Sequence, residues 1–249
     1  MVKLSGRLEK IYAMIEPGER VADVGTDHAL LPIALYARGR SHSPILSDAR
    51  PGPLEKARAN IARLLPGAVF DLRLGDGLAP YARGEADVVV IAGMGGRLIA
   101  DILSADAEKS RSFGRFVLQP RNASDKLRLR LGELGFAVTD EALAEEGGRI
   151  CEIIRASPVP PAKGAAVAAP LALRRAETLL AAGGAAAEIS PLLFGKAEPL
   201  LAPWLERKLR TADAVSERLL AAGAGKEALL EKSRARAALL RDLLDILRP

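Results

Sequence analysis

The sequence predicts an α/β domain built on a mostly parallel sheet, followed by an all-α domain. Three observations carry this. Between Arg20 and Ala156, short apolar runs alternate with blocks of helical periodicity, the pattern of a parallel sheet wrapped by helices. A polar, glycine-containing turn, Glu145 to Gly148, joins two further strand-like runs. Beyond residue 170 the apolar residues recur only at helical spacing.

Taken in order, the strand candidates are Val21–Val24, Pro44–Ser47, Val69–Leu74, Asp87–Ala92 and Phe116–Gln119. Several are rich in β-branched residues, as expected of strands buried on both faces. Helix candidates fall between them at Leu30–Arg38, Pro51–Leu65, Gly96–Leu103 and Ser124–Leu134. Phe136–Leu143 and Arg149–Arg155 flank the glycine turn and read as an antiparallel hairpin at one sheet edge. A parallel sheet closed by such a hairpin is uncommon among dinucleotide-binding dehydrogenases. It suits the methyltransferase variant of the Rossmann-like, doubly wound fold.

SPVPPAKGAAVAAP, residues 157–170, is dense in Pro, Ala and Gly and reads as a linker. The expected domains are therefore 1–158 and 159–249. In the second, Leu201, Leu205, Ala212, Val215, Leu219 and Ala222 recur at spacings of three, four and seven. Leu230, Ala237, Leu240, Leu244 and Leu247 do so further on, and Gly223 and Gly225 separate the runs. The expectation is an antiparallel helical hairpin with coiled-coil-like spacing, its seam shortened by polar residues at Lys208 and Ser233. Trp204 is expected to anchor it.

No stretch approaches the run of about 18 apolar residues that crosses a bilayer, and the N-terminus MVKLSGRLEKIYAMI lacks a continuous apolar signal core. The single cysteine, Cys151, excludes an internal disulfide and a two-cysteine metal site. Cys151 is expected to pack as a small core residue, and His42, between two serines, to be solvated. The chain is expected to be soluble, cytoplasmic and metal-free. Residues 1–158 carry 22 Lys/Arg against 21 Asp/Glu, and residues 159–249 carry 14 against 10, so the bias towards anionic partners sits in the helical part.

Four motifs fall at successive strand ends. Asp23-Val-Gly25-Thr26-Asp27-His28-Ala29 follows the first strand; a glycine turn opening a helix places backbone N–H groups beside a ligand. A dinucleotide loop would carry glycine where this chain has Asp27 and Ala29. Asp48, followed by Ala49, closes the second strand, where a carboxylate accepts hydrogen bonds from ribose hydroxyls. Gly75-Asp76-Gly77-Leu78 follows the third, with Asp76 placed to meet an adenine amino group. Gly93-Met94-Gly95-Gly96 follows the fourth, its glycines allowing close backbone approach to a flat ligand.

Together these pieces resemble the bacterial tRNA (adenine(22)-N1)-methyltransferases. The resemblance begins at LSGRLEKI and runs through VADVGTDHALLP, GDGL, IAGMGG, FVLQP and GGRICEIIRA to LLFG at Leu192–Gly195. It implies a Rossmann-like catalytic domain and a helical coiled-coil-like domain that methylate N1 of adenine 22 in tRNA, with S-adenosyl-L-methionine as cofactor. Leu30 stands where the family commonly has Tyr, and Arg121-Asn122 where it has Asn alone.

On this reading Asp23, Gly25, Thr26, Asp27, His28, Asp48, Ala49, Asp76, Gly77, Gly93, Met94 and Gly95 hold the cofactor. Asp27 and His28 are the catalytic candidates. Adenine N1 attacks through an in-plane lone pair and becomes cationic, so a fixed carboxylate near the base, assigned to Asp27, stabilises the transition state. His28 would orient Asp27, contact the cofactor carboxylate or carry off a proton. Gly96, Arg97, Arg121, Asn122, Arg207 and Lys208 are expected to meet tRNA, with Lys126, Arg128, Arg130, Arg210, Arg218, Lys232, Arg234 and Arg236 adding positive surface. The expected state is a monomer or weak homodimer. The rivals are the same fold acting on another RNA, a protein or a small molecule; a nicotinamide-dependent dehydrogenase; and a non-catalytic tRNA-binding protein.

Overall fold

The computed structural model of the chain describes residues 2–159, 171–183, 185, 187–196, 198–223 and 225–248. These gather into two compact units, divided as Met1–Lys163 and Gly164–Pro249. The linker expectation over 160–170 lies outside the described residues.

The first unit opens with helix α1 (Gly6–Ala13), whose first turn is capped by Ser5. Five parallel strands follow: β1 (Val21–Val24), β2 (Ile45–Asp48), β3 (Asp71–Leu74), β4 (Val88–Met94) and β5 (Arg115–Pro120). Between them run α2 (Leu30–Ala37), α3 (Pro51–Leu64), α4 (Gly96–Ala105) and α5 (Ala107–Ser112), and α6 (Ser124–Glu133) follows β5. The hairpin β6 (Phe136–Glu146) and β7 (Arg149–Pro158) closes the sheet. The strand order is β3-β2-β1-β4-β5-β7-β6, with β7 antiparallel to both neighbours.

Period-two patterning places the core. Ala22, Val24, Val89, Ile91, Phe116 and Leu118 face one way, against Ile99 and Leu103 of α4 and Leu127 and Leu131 of α6. Val21, Val88, Val90 and Val117 face the other, against Ile11 of α1 and Leu31, Ala34 and Leu35 of α2. Both faces are covered, so the central strands are mostly apolar, with Asp23, Ser47, Asp48 and Gln119 falling towards their carboxyl ends. One expectation needs correcting: β3 is not buried on both faces. It is an edge strand, Leu74 is exposed, and Val69 lies outside it at 92% exposure.

The second unit contains α7 (Leu171–Ala182), a 3-10 turn (Pro191–Gly195), α8 (Leu201–Ala221) and α9 (Glu227–Ile246). Leu201, Trp204, Leu205 and Ala212 of α8 and Ala237, Leu240, Leu243 and Ile246 of α9 are buried. The polar Ser233 lies in the seam with its hydroxyl satisfied: its Oγ accepts from Ser216 Oγ at 2.9 Å and donates to the Ala212 carbonyl at 3.0 Å. The seam loosens near the connection, where Val215, Leu220 and Leu229 are exposed. Among the described residues no helix is long and apolar enough to cross a membrane, and no group of three His, Cys, Asp or Glu could hold a metal ion.

Candidate active site at the carboxyl edge of the sheet

Parallel strands bring the ends of β1, β2, β3, β4 and β5 to one edge, where ligands of doubly wound folds bind. After β1 the chain turns at Gly25 (φ +77), whose N–H donates to the Ser47 carbonyl at 2.8 Å. A Cβ on Gly25 would clash with the Met94 methyl, so the glycine lets the β1 and β4 loops touch. Asp27 (φ +35) and Ala29 (φ +54) also lie in the left-handed region, where an ordinary residue costs about 1–2 kcal/mol. Such strain persists where the surroundings impose it. Here Asn60 Nδ2 donates to the His28 carbonyl at 3.1 Å and buried Ala29 packs into the core with Ile33 and Leu46.

Asp27 and His28 are exposed on this turn. His28 Nε2 lies 3.3 Å from Asp27 Oδ2, and Lys56 Nζ lies 3.7 Å from Asp27 Oδ1. Asp23, one turn back, is buried, and desolvation pushes its carboxyl up to about 6, with the nearby Asp48 carboxylate adding to the rise. Thr26 Oγ1 lies near enough to oppose that rise, yet it is buried with no partner in hydrogen-bond geometry. Helix α2 starts at Leu30 with no side-chain cap, which leaves an N-terminal amide end available to an anion.

Asp23, Gly25, Thr26, Asp27 and His28 line a cavity of about 280 Å³ together with Arg7, Leu8, Leu30, Leu31, Ala92 and Gly93. At its far side β4 ends in a bulge: the register with β5 shifts between Ala92 and Met94, and Gly93 has φ +76. Gly93 N–H donates to Gln119 Oε1 at 3.1 Å, and Arg7 Nη1 donates to the same oxygen at 3.0 Å. Arg7 Nε in turn donates to Glu146 Oε2 at 2.6 Å. Gly96 could not be alanine, because a Cβ would lie 2.5 Å from the Ala123 carbonyl. Its N–H donates to the Asn122 carbonyl, and the Arg121 N–H to the Met94 carbonyl at 2.7 Å, binding the Gly95-Gly96-Arg97 and Arg121-Asn122 turns side by side.

Asp48 is buried at the end of β2 and accepts from the Arg50 N–H, with Ala49 exposed beside it. Asp76 and Gly77 line a separate cavity of about 430 Å³ with Leu98, Asp101 and Ile102 of α4. The 280 Å³ cavity thus gathers Asp23, Gly25, Thr26, Asp27, His28 and Gly93, while Asp48, Asp76 and Gly77 stand at neighbouring strand ends of the same edge.

Two expectations are corrected. Arg128 is not part of a basic surface: its guanidinium is 7% exposed and pairs with Glu141 at 2.8 Å and Glu152 at 2.5 Å. Cys151 is not a core residue but half-exposed, beside Arg7 and Gln119. Arg97, Arg121 and Lys126 are exposed. In the helical unit, Lys208 lies over the Trp204 ring at 4.4 Å and 3.6 Å from Glu188, and Arg207 is exposed. Arg7, Gln119 and Glu146 were given no role from sequence. Arg7 and Gln119 stand inside LSGRLEKI and FVLQP, but nothing in their spacing says that α1 lies across the end of β5.

Residues 4–154 match the family described as methyltransferase domain, and the chain belongs to that family. It is 36% identical over 153 residues to the tRNA (adenine(22)-N(1))-methyltransferase of Bacillus subtilis, a match covering 61% of this chain and 64% of that protein. The match therefore spans just under two thirds of the curated relative's length. The crystal structure of the B. subtilis M1A22 tRNA methyltransferase superposes with a TM-score of 0.78 at 26% identity, covering 98% of this chain and all of that one. A candidate tRNA (m1A22) methyltransferase of Streptococcus pneumoniae, solved in complex with S-adenosyl-L-methionine, gives 0.73 at 29% identity over 96% of this chain and all of its own.

Proposed function

We propose that this chain transfers the methyl group of S-adenosyl-L-methionine to N1 of adenine 22 in bacterial tRNA. The observation that carries the reading is the Asp27-His28 turn closing on Gly93 across one cavity, in a methyltransferase-family chain similar over its length to tRNA (m1A22) methyltransferases.

The residues present fit the cofactor. A buried, unpartnered hydroxyl at Thr26 and a buried Asp23 whose charge is unfavourable until a cation meets it both line the cavity. The uncapped start of α2 suits a carboxylate, Asp48 suits a ribose diol, and Asp76 with Gly77 suits an adenine edge. When bound, S-adenosyl-L-methionine supplies an electrophilic methyl on a sulfonium.

The protein's part is to position and to balance charge. The adenine N1 lone pair forms the new N–C bond while the S–C pair returns to sulfur, so no proton leaves the base and positive charge passes to it. We assign Asp27 as the carboxylate facing that charge, with His28 and Lys56 fixing its position. Base N1 is hidden in a paired or stacked nucleotide, so the target is extruded into the site. Gly96, Arg97, Arg121 and Asn122, with Arg207 and Lys208 of the helical unit, are assigned to tRNA. The reading includes a cytoplasmic location and a monomer or weak homodimer.

The test is mass spectrometry of tRNA transcripts incubated with the protein and S-adenosyl-L-methionine. 1-Methyladenosine should appear in transcripts with adenine at position 22 and not in those with another base there. Methylation of both, or of neither, would send the search to another acceptor.

A further inference from the structure

Two cavities meet at Arg7 and Gly93. One is the 280 Å³ cavity of the Asp27 turn. The other, about 480 Å³, lies beyond Gly93 and is walled by Gln119, Arg121, Glu146, Gly147, Arg149 and Cys151. That volume falls within the range of small-ligand sites, roughly 300–1,000 Å³.

The partition between them is braced from several elements. Gln119, 2% exposed, accepts from both Arg7 and Gly93 through one oxygen and donates its amide to the Pro120 carbonyl at 2.9 Å. Arg7, on α1, is held at its other end by Glu146 at the tip of β6. A Cβ built on Gly93 would meet nothing within 4 Å, so open space lies beside this shared residue. The walls beyond it combine small groups (Gly93, Gly147 and Cys151) with two exposed arginines, Arg121 and Arg149, neither with an ion-pair partner among the described residues.

Glu146 also lines the cavity, its carboxylate engaged by Arg7, so small groups beside two exposed arginines match a flat, neutral base carried on an anionic backbone. In-line displacement adds a geometric condition: acceptor and donor must approach the moving methyl from opposite sides. Two cavities that share Gly93 and Arg7 in their linings suit that condition.

We infer that the 480 Å³ cavity receives the extruded purine, with Arg7 and Gln119 as positioning residues that hold the partition and Arg121 and Arg149 taking the flanking phosphates. The inference rests on the methyl-transfer reading above and adds to it where the base goes: beyond Gly93, with N1 presented at the junction to the cavity that Asp27 lines.

Cys151 gives the test, because it lines this cavity and not its neighbour. Cys151→Phe fills the pocket from a half-exposed strand position. Methyl transfer to tRNA should fall about 100-fold, the scale of a displaced reacting group, while S-adenosyl-L-methionine affinity by titration calorimetry stays within about two-fold of wild type. Should that variant fold poorly, iodoacetamide treatment of the folded wild type modifies the chain's single thiol; transfer should fall with cofactor affinity kept, and Cys151→Ser should be insensitive to the reagent. Unchanged transfer in the blocked forms, or loss of cofactor binding along with it, would overturn the placement. Wild-type protein run in parallel separates the two claims: a wild type that methylates no tRNA takes down the functional reading and this inference with it, whereas equal activity in wild type and blocked forms removes the pocket alone.

Discussion

Asp23→Asn isolates the energetic state of the site. In the ligand-free protein burial raises the Asp23 carboxyl from 3.8 to about 6, worth about 3 kcal/mol between its two protonation states. An acid whose folded value lies above its unfolded one stabilises the fold only while protonated. That contribution is full below the unfolded value near 3.8 and is lost as pH rises through about 6. The amide cannot ionise, so the variant should match wild type near pH 4 and exceed it by up to about 3 kcal/mol near pH 8. The sole tryptophan, Trp204, belongs to the helical unit, so fluorescence would report the wrong transition. Urea titrations read by pulsed hydrogen exchange on peptides carrying β1 and β4 follow the right one. A stability gap that is constant with pH, or largest at low pH, would refute the raised carboxyl. A cationic ligand removes the penalty, so wild type alone should bind S-adenosyl-L-methionine more tightly as pH rises from 5 to 8.

The other expectations concern charge elsewhere. Arg128→Ala leaves buried Glu141 and the carboxylate of Glu152 facing each other without their cation, which should cost about 3–5 kcal/mol and lower the urea midpoint. A variant that instead folded normally and bound tRNA weakly would restore Arg128 to the RNA surface. Replacing both Arg121 and Arg149 by Ala should leave stability unchanged and reduce the slope of log affinity for tRNA against log salt by about two. An unaltered slope in filter-binding titrations would remove both from the phosphate path.

The strand-and-helix alternation was legible because the central strands are covered on both faces, which leaves VVVI with no polar interruption and VADV with Asp23 alone. It failed at β3 for the same reason: Val69 and Leu74 are apolar but sit at an edge, and composition does not distinguish an edge from a centre. The α5 turn was missed because AEKSRS is six residues with no apolar stripe. In the site, residues supplied by turns after strands could be found, since a turn motif fixes its own geometry. Arg7, Gln119 and Glu146 could not. Their contacts span 112 and 139 positions of sequence, and only the packing of α1 across the hairpin brings them together. Arg128 was misread because a helical arginine looks the same in sequence whether it faces solvent or two glutamates on the next strands.

The replaced glycines of the first turn now have a physical account. Positions 27 and 29 keep the left-handed backbone of a glycine loop, φ +35 and +54, while carrying side chains. The fold therefore holds strain there that glycine would release, and at position 27 the chemistry explains what is gained. Asp27→Ala and Asp27→Gly both remove the carboxylate and its exposed pairs with His28 and Lys56, worth under about 1 kcal/mol. They differ in backbone. Alanine keeps a strain of about 1–2 kcal/mol, and glycine relieves it at an entropic cost of about 0.5–1. The glycine variant should thus be at least as stable as the alanine one, by about 0–1.5 kcal/mol in thermal unfolding, though both lose methyl transfer. If alanine proved the more stable, position 27 would not be left-handed in solution. If the glycine variant kept near wild-type turnover, the turn would matter for its shape alone and Asp27 would have no part in catalysis.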